Sequence, residues 1–283
     1  MMALLKRCPA QLSSCASSIN LLSNDANGRS SLEKKMTNAV QAGNAAQLAD
    51  KTVLVFGGTS GIGLQAAIQA KQAGAQVIVV GRNAAAAEQA AKDHGFAGWR
   101  AADVTDADSL QRAVKDITRV DHLVLLAGTF VASKVRDAEV AYLRQALEER
   151  IWAAVHVIRA LGDRLSKDGS ITLISGSLAD RPNAYGTAVL GAASAAMEAL
   201  ARGLALELAP VRVNALSPGP IDTPIFHKAL GEARDGFIEG LKQTLPLHRL
   251  GTAAEAGAGV VFLMTNGFMN GVTLNLDGGA RLV

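Results

Sequence analysis

Thr52-Val53-Leu54-Val55-Phe56-Gly57-Gly58-Thr59-Ser60-Gly61-Ile62-Gly63 is the stretch that decides the fold of this chain. A short, continuous run of β-favouring apolar residues has no solvated face, so it reads as a strand buried on both sides. Glycine follows at 57, 58, 61 and 63, and an Ala-rich helical segment runs from Ile62 to Gly74. A strand that turns on glycines into a helix presents free N–H groups and the positive end of the helix dipole at the turn. That arrangement suits a pyrophosphate. Turns use glycine for many reasons, so it is the position between buried strand and helix that gives the turn its meaning.

The alternation continues outward from there. Gln76–Val80, Trp99–Ala102, His122–Leu126, Ile171–Ile174, Val211–Leu216 and Thr273–Leu276 read as further strands. Ala84–His94, Ser109–Thr118, a long stretch over Val140–Leu165 and Val189–Leu208 read as helices between them. Continuous apolar strands separated by helices predict an α/β, doubly wound parallel sheet of the Rossmann type with right-handed crossovers. The segment 223–250 interrupts the alternation and reads as a small helical lobe beside a substrate pocket. Residues 50–283 form one domain in this reading, and residues 1–49 an extension.

Composition limits the partners. The chain of 283 residues is 49% hydrophobic and 19% charged, long enough to bury a core without disulfides. Its two cysteines, Cys8 and Cys15, lie in the extension, so the domain has no Cys framework, and no metal site is expected. The net charge of +3 arises in residues 1–49, where Lys6, Arg7, Arg29, Lys34 and Lys35 outnumber Asp25 and Glu33. A charge-balanced domain carries no footprint for nucleic acid, and the extension has no run that would enter a membrane. The extension reads as a disordered leader, as sequence ahead of a true start near Met36, or as an organelle transit peptide. A cytoplasmic location is the default expectation.

Gly57-x-x-x-Gly61-Ile62-Gly63 resembles the glycine pattern of the short-chain dehydrogenase/reductase family, and the similarity extends over roughly residues 50–283. Asp103-Val104 resembles the family's pair beside the adenine ring. Asn214-Ala215-Leu216-Ser217-Pro218-Gly219-Pro220-Ile221-Asp222-Thr223 resembles its Pro-Gly loop, which holds the nicotinamide amide. Pro246–Gly251 and Leu276-Asp277-Gly278-Gly279 resemble its C-terminal segments. The resemblance implies a nicotinamide nucleotide held by Gly57, Thr59, Ser60, Gly61, Ile62, Gly63, Asp103, Val104, Ala127, Gly128, Pro218, Gly219, Ile221 and Thr223. The second strand ends in Gly81-Arg82-Asn83, with no acidic residue to bond a ribose 2′-hydroxyl. Arg82, with Asn83 beside it, favours a 2′-phosphate and therefore NADP(H).

The reactive residues depart from the family. There a Tyr-x-x-x-Lys pair, a Ser and a helix Asn pass the proton. Neither Tyr142 nor Tyr185 is followed four residues later by Lys. Aligning on Leu204-Ala205-Leu206-Glu207-Leu208 puts Leu190 at the Tyr position, Ser194 at the Lys position and Arg150 at the Asn position. Leu125-Leu126-Ala127-Gly128 stands where Asn-Asn-Ala-Gly is usual. The Ser position falls at Gly176 when counted from the strand and at Ser177 when counted back from Leu190, so either Ser175 or Ser177 could bond a carbonyl oxygen. Tyr185 reads either as a displaced donor or as a loop aromatic, and His156 and His227 are acids by chemistry alone.

The expected activity is NADP(H)-dependent oxidoreduction of a small organic carbonyl or alcohol, with Ser175, Ser177, Tyr185 or water supplying the proton. The rival expectations are an isomerase, lyase or cyclase that reuses the pocket, and a nucleotide-binding regulatory or assembly protein without turnover. The small residues along Val189–Leu208 suit close helix contacts, and a homodimer or homotetramer is expected. Phe226, His227, Ile225 and Leu230 suggest an apolar lid.

Overall fold

The structure, a computed structural model, describes residues 47–225 and 231–283. Phe226, His227 and Leu230 lie outside the described residues, as do Cys8, Cys15 and the rest of the extension to Ala46.

Seven of the strands are β1 (Thr52–Phe56), β2 (Gln76–Gly81), β3 (Gly98–Ala101), β4 (Val120–Leu125), β5 (Leu165–Ile174), β6 (Arg212–Pro218) and β9 (Thr273–Leu276). They form one parallel sheet in the order β3-β2-β1-β4-β5-β6-β9. Two short strands, β7 (Ile221–Asp222) and β8 (Gly251–Thr252), pair with each other outside it. From β1 the chain winds outward through β2 and β3, then returns to place β4 on the other side of β1. The order reverses between β1 and β4, and in open α/β sheets ligands bind outside the carboxyl ends of the strands at such a point.

The expected fold is therefore the observed one. Val53 and Val55 point to one face, where α1 (Gly61–Gln72) and α8 (Ala253–Thr265) cover them. Leu54 and Phe56 point to the other, under α3 (Ala107–Val114), α5 (Ala153–Leu161) and α6 (Ala188–Glu207). This period-two division follows from the pleat. The domain also takes in Leu48, which is 1% exposed and donates its N–H to Ala73.

Between β2 and β3 lies α2 (Ala84–His94), as read from the sequence. The long stretch over 140–165 is α4 (Val140–Leu147), one π-helical turn (Glu148–Trp152) and α5; β5 then starts at Leu165. In the 223–250 segment the main element is α7 (Arg234–Thr244), and the β7–β8 pair joins the residues just before the segment to those just after it. Sequence periodicity missed α8. Its signal was a capping box, in which Thr252 accepts from Glu255 N and the Glu255 carboxylate accepts from Thr252 N. By length and composition α6 is apolar enough to cross a membrane, yet Leu190, Ala193, Met197, Ala201 and Ala205 bury one side of it in the core.

Candidate active site

The glycine turn forms one half of the cleft. Gly57 has φ +80°, and a Cβ there would stand 2.8 Å from Ala127 N, so the exit of β4 rests on the turn. A Cβ on Gly63 would run into the Gly57 carbonyl, so strand, turn and first helical turn are pressed together. Ser60 precedes α1 with extended backbone and no side-chain cap bond, and the first turn holds no acidic residue. The N–H groups there have no competing carboxylate. The Thr59 methyl lies 2.7 Å from where a Gly81 Cβ would be, and Ile62 packs on the core. From the far side, the Thr223 methyl comes within 3.4 Å of a Cβ position on Gly61. Gly219 N donates to Leu276 O at 3.0 Å, and Ile221 is buried in β7. Gly61 and Thr223, far apart in sequence, thus face each other across the mouth of the turn.

The exits of β2 and β3 are shaped by local hydrogen bonds. Asn83 caps α2, its Oδ1 accepting from Ala86 N at 3.0 Å, so that oxygen is committed to the helix. Asp103 Oδ1 accepts from Thr105 Oγ1 at 2.7 Å and Thr105 N at 2.9 Å. These bonds hold the Asp103 carboxyl below its ordinary pKa. Val104 is buried beside it. The exposed Arg82 has a partner that sequence reasoning missed: its Nη1 lies 3.6 Å from Glu149 Oε1. The other Glu149 oxygen accepts from Thr129 N at 2.5 Å. Nothing in the sequence distinguished Glu149 from a solvated helix residue.

The other half of the cleft is closed. Leu190 is 3% exposed and packs with Val131, Leu143, Ala146 and Ala193. Ser194 donates its hydroxyl back to Leu190 O at 2.9 Å. The Ser175 hydroxyl turns into α6, 2.7 Å from Glu198 Oε1 and 3.0 Å from Ser194 O, so it is engaged in packing rather than turned to the cleft. Ser177 opens a short 3-10 turn (Ser177–Ala179) just past β5, and its hydroxyl has no partner among the described residues. Tyr185 sits before α6 and is 75% exposed; its N–H bonds to Asn183 Oδ1. His156 is half-buried on α5. Arg150, on the π-helical turn, packs its guanidinium against Gly128 and Thr129. Of the three proton-donor candidates, only Ser177 combines a position at a strand exit with a free hydroxyl.

Two hollows accompany these groups. One, a cavity of about 10 Å³, lies between Phe56, Val104, Ala127, Ile174 and Met197, and its charged walls are Glu149 and Arg150. The other, about 300 Å³, opens beside β7 and β9 around Leu247, Arg249, Glu255 and Asp277. Arg249 and Glu255 already pair there at 2.6 Å.

Comparison with known proteins agrees with this geometry. A sequence profile described as enoyl-(acyl carrier protein) reductase matches residues 57–281. The short-chain dehydrogenase/reductase ucsE of Acremonium sp is 30% identical over 264 residues, taking in 84% of this chain and 98% of that protein. The chain belongs to the short-chain dehydrogenase/reductase family. Other relatives in the family include the peroxisomal 2,4-dienoyl-CoA reductase of Danio rerio, 32% identical over 251 residues and matched over 83% of each chain. A solved short-chain dehydrogenase/reductase family protein superposes with a TM-score of 0.75 at 35% identity, over 84% of this chain and all of the other. A small-chain dehydrogenase solved in complex with NADPH gives 0.72 at 33% identity, over 83% of this chain and 100% of that one. As a short-chain dehydrogenase/reductase, this protein has its glycine turn, Asp103-Val104 pair and Pro-Gly loop gathered at one end of the sheet.

Proposed function

We propose that this protein is an NADP(H)-dependent oxidoreductase that acts on a small organic carbonyl or alcohol and uses an unusual proton donor. The observation that carries the reading is the cradle itself. Gly57 and Gly63 leave no room for a Cβ, the N-terminus of α1 is uncapped, and Thr223 closes over it. That pocket fits a pyrophosphate, because backbone N–H groups converge where side chains are excluded. Residues 57–63 would hold the phosphates, Asp103 and Val104 the adenosine, and Ala127, Gly128 and the 218–223 loop the nicotinamide end. When bound, the nicotinamide supplies or accepts a hydride.

Arg82 would bind the 2′-phosphate in competition with Glu149, to which it is paired across 3.6 Å. The small-chain dehydrogenase solved with NADPH supports this choice of cofactor by likeness. The Ser177 hydroxyl would hydrogen-bond the substrate oxygen, and either Tyr185 or water would deliver the proton. No nucleic acid or membrane enters this reading. A homodimer or homotetramer would form through α6 and the preceding helices, where Trp152 is 51% exposed and Leu206 82% exposed. Light scattering at micromolar concentration is expected to give a multiple of the chain mass, and a monomer would refute that assembly.

A second reading is favoured by one observation. Leu190 and Ser194 fill their positions with packing and helix bonds, so the protein would bind the nucleotide without turnover, in a regulatory or assembly role. NADPH consumption against a panel of aldehydes, ketones and conjugated enoyl thioesters separates the two. The first reading predicts oxidation of NADPH with at least one of them. Saturable NADPH binding with no oxidation by any member would leave the second.

A further inference from the structure

Arg150 is a buried cation with no anion in contact, and the charge that acts on it is that of its chain neighbour Glu149. Its Nε is buried and has no hydrogen-bond partner among the described residues. Its terminal nitrogens reach only carbonyl oxygens, at 3.3 Å to Thr129 O and 3.5 Å to Ala146 O. Charged hydrogen bonds commonly run at about 2.7–2.9 Å, so these are weak contacts. Among the described residues no carboxylate comes within 4.0 Å of it. Glu149, its chain neighbour, turns instead to Thr129 N and Arg82. Burial draws the Arg150 pKa down, but a guanidinium keeps its proton in a protein.

Buried charges are normally paired, because desolvation is costly and the low local dielectric extends their reach. The π-helical turn that carries Arg150 is the kind of irregularity that re-aims a side chain at a working site. Its guanidinium lies 3.4 Å from a Cβ position on Gly128 and shares a hollow with Ile174. Gly128 follows β4 and Ile174 ends β5, the strand beside β6, from which the 218–223 loop leaves. Glu149 opposes Arg150 in part, but its carboxylate is held by Thr129 N and drawn toward Arg82, and the three side chains sum to one positive charge.

We infer that Arg150 makes the cleft discriminate between the two redox states of the nicotinamide, holding the neutral reduced ring and disfavouring the cationic oxidised one. This rests on the nicotinamide reading above. The phosphates are common to both states, so only the ring charge distinguishes them. At an effective dielectric of about 20, a unit charge within ~10 Å of another changes an affinity by about tenfold. A tenfold preference for the reduced form raises the potential of the bound couple by about 30 mV. It also speeds departure of the oxidised form.

The test is a pair of dissociation constants, NADPH by its fluorescence and NADP+ by displacement, at one ionic strength. Wild-type protein is expected to bind NADPH at least tenfold more tightly than NADP+. Arg150→Met should bring the ratio within about threefold by tightening NADP+, whereas Arg150→Lys should retain it. Glu149→Gln, which removes the opposing charge, should widen the ratio, because any effect on the 2′-phosphate is shared by both states. A wild-type ratio within twofold overturns the inference whether or not any variant folds. So does an unchanged ratio in folded Arg150→Met. Failure of wild-type protein to bind either nucleotide overturns the cofactor reading instead.

Discussion

The two halves of the cleft are built on opposite plans. Around Gly57–Gly63 side chains are missing where a Cβ would collide, and backbone N–H groups are left without caps. Around Leu190 the space is filled: an apolar cluster closes it, and Ser175 and Ser194 spend their hydroxyls on α6. The first half is arranged to receive something and the second to stay shut. One sheet thus carries an open glycine turn and a packed apolar cluster side by side, and the residue types of that cluster, Leu190 and Ala193 among them, are those that packing alone requires.

The contrast can be broken most severely at Gly63. Gly63→Ala forces a methyl against the Gly57 carbonyl, and the expected result is loss of nucleotide binding together with about 3 kcal/mol of stability. Fluorescence titration and urea melts read the two effects. Leu190→Ala should behave in the opposite way, losing about 3 kcal/mol through the cavity it leaves while nucleotide affinity stays within about threefold. Equal damage to binding from both variants would mean that the halves are not independent.

Acid offers a third comparison, because it acts on neither half. His122 is buried on β4 with Nδ1 2.8 Å from Ser170 Oγ, and burial lowers its pKa to about 4 from the ordinary 6.5. The unfolded chain therefore takes up this proton more readily. Stability from this source is intact above pH 6.5 and is lost as pH falls toward 4, by up to about 3 kcal/mol. Urea melts across that window should show the slope, and His122→Asn should flatten it. The smallest expected effect is that of Glu149→Gln, which frees Arg82 and should tighten NADPH by a few-fold without affecting NADH.

What the sequence made legible follows the same division. The cradle was readable because its chemistry is backbone chemistry: few structural roles besides phosphate binding call for glycines so spaced between a buried strand and a helix, and their partner Thr223 lay in a recognisable loop. The closed half was readable only as a loss. Sequence put Leu190 and Ser194 at two positions of a proton relay, but not the cluster that encloses one or the helix bond that satisfies the other. Ser175 and Ser177 were indistinguishable, since residues two apart share one face of a strand and only the turn that begins at Ser177 separates their directions. Arg150 was legible only as the occupant of the Asn position, and Glu149 was hidden beside it, in a helical stretch whose π-helical turn shifts the faces that a 3.6-residue period assigns. The α8 helix was missed because its apolar residues show no periodic face, although its capping box marked the start.

Hydrogen exchange with and without NADPH separates the open half of the cleft from the shut one in a single experiment. Nucleotide is expected to protect amides at 57–64, 81–83 and 219–223, with residues 188–194 slow to exchange in both states and unchanged by binding. Protection that appears at 188–194 on binding, or at none of these segments, would contradict the division between cradle and packed interface.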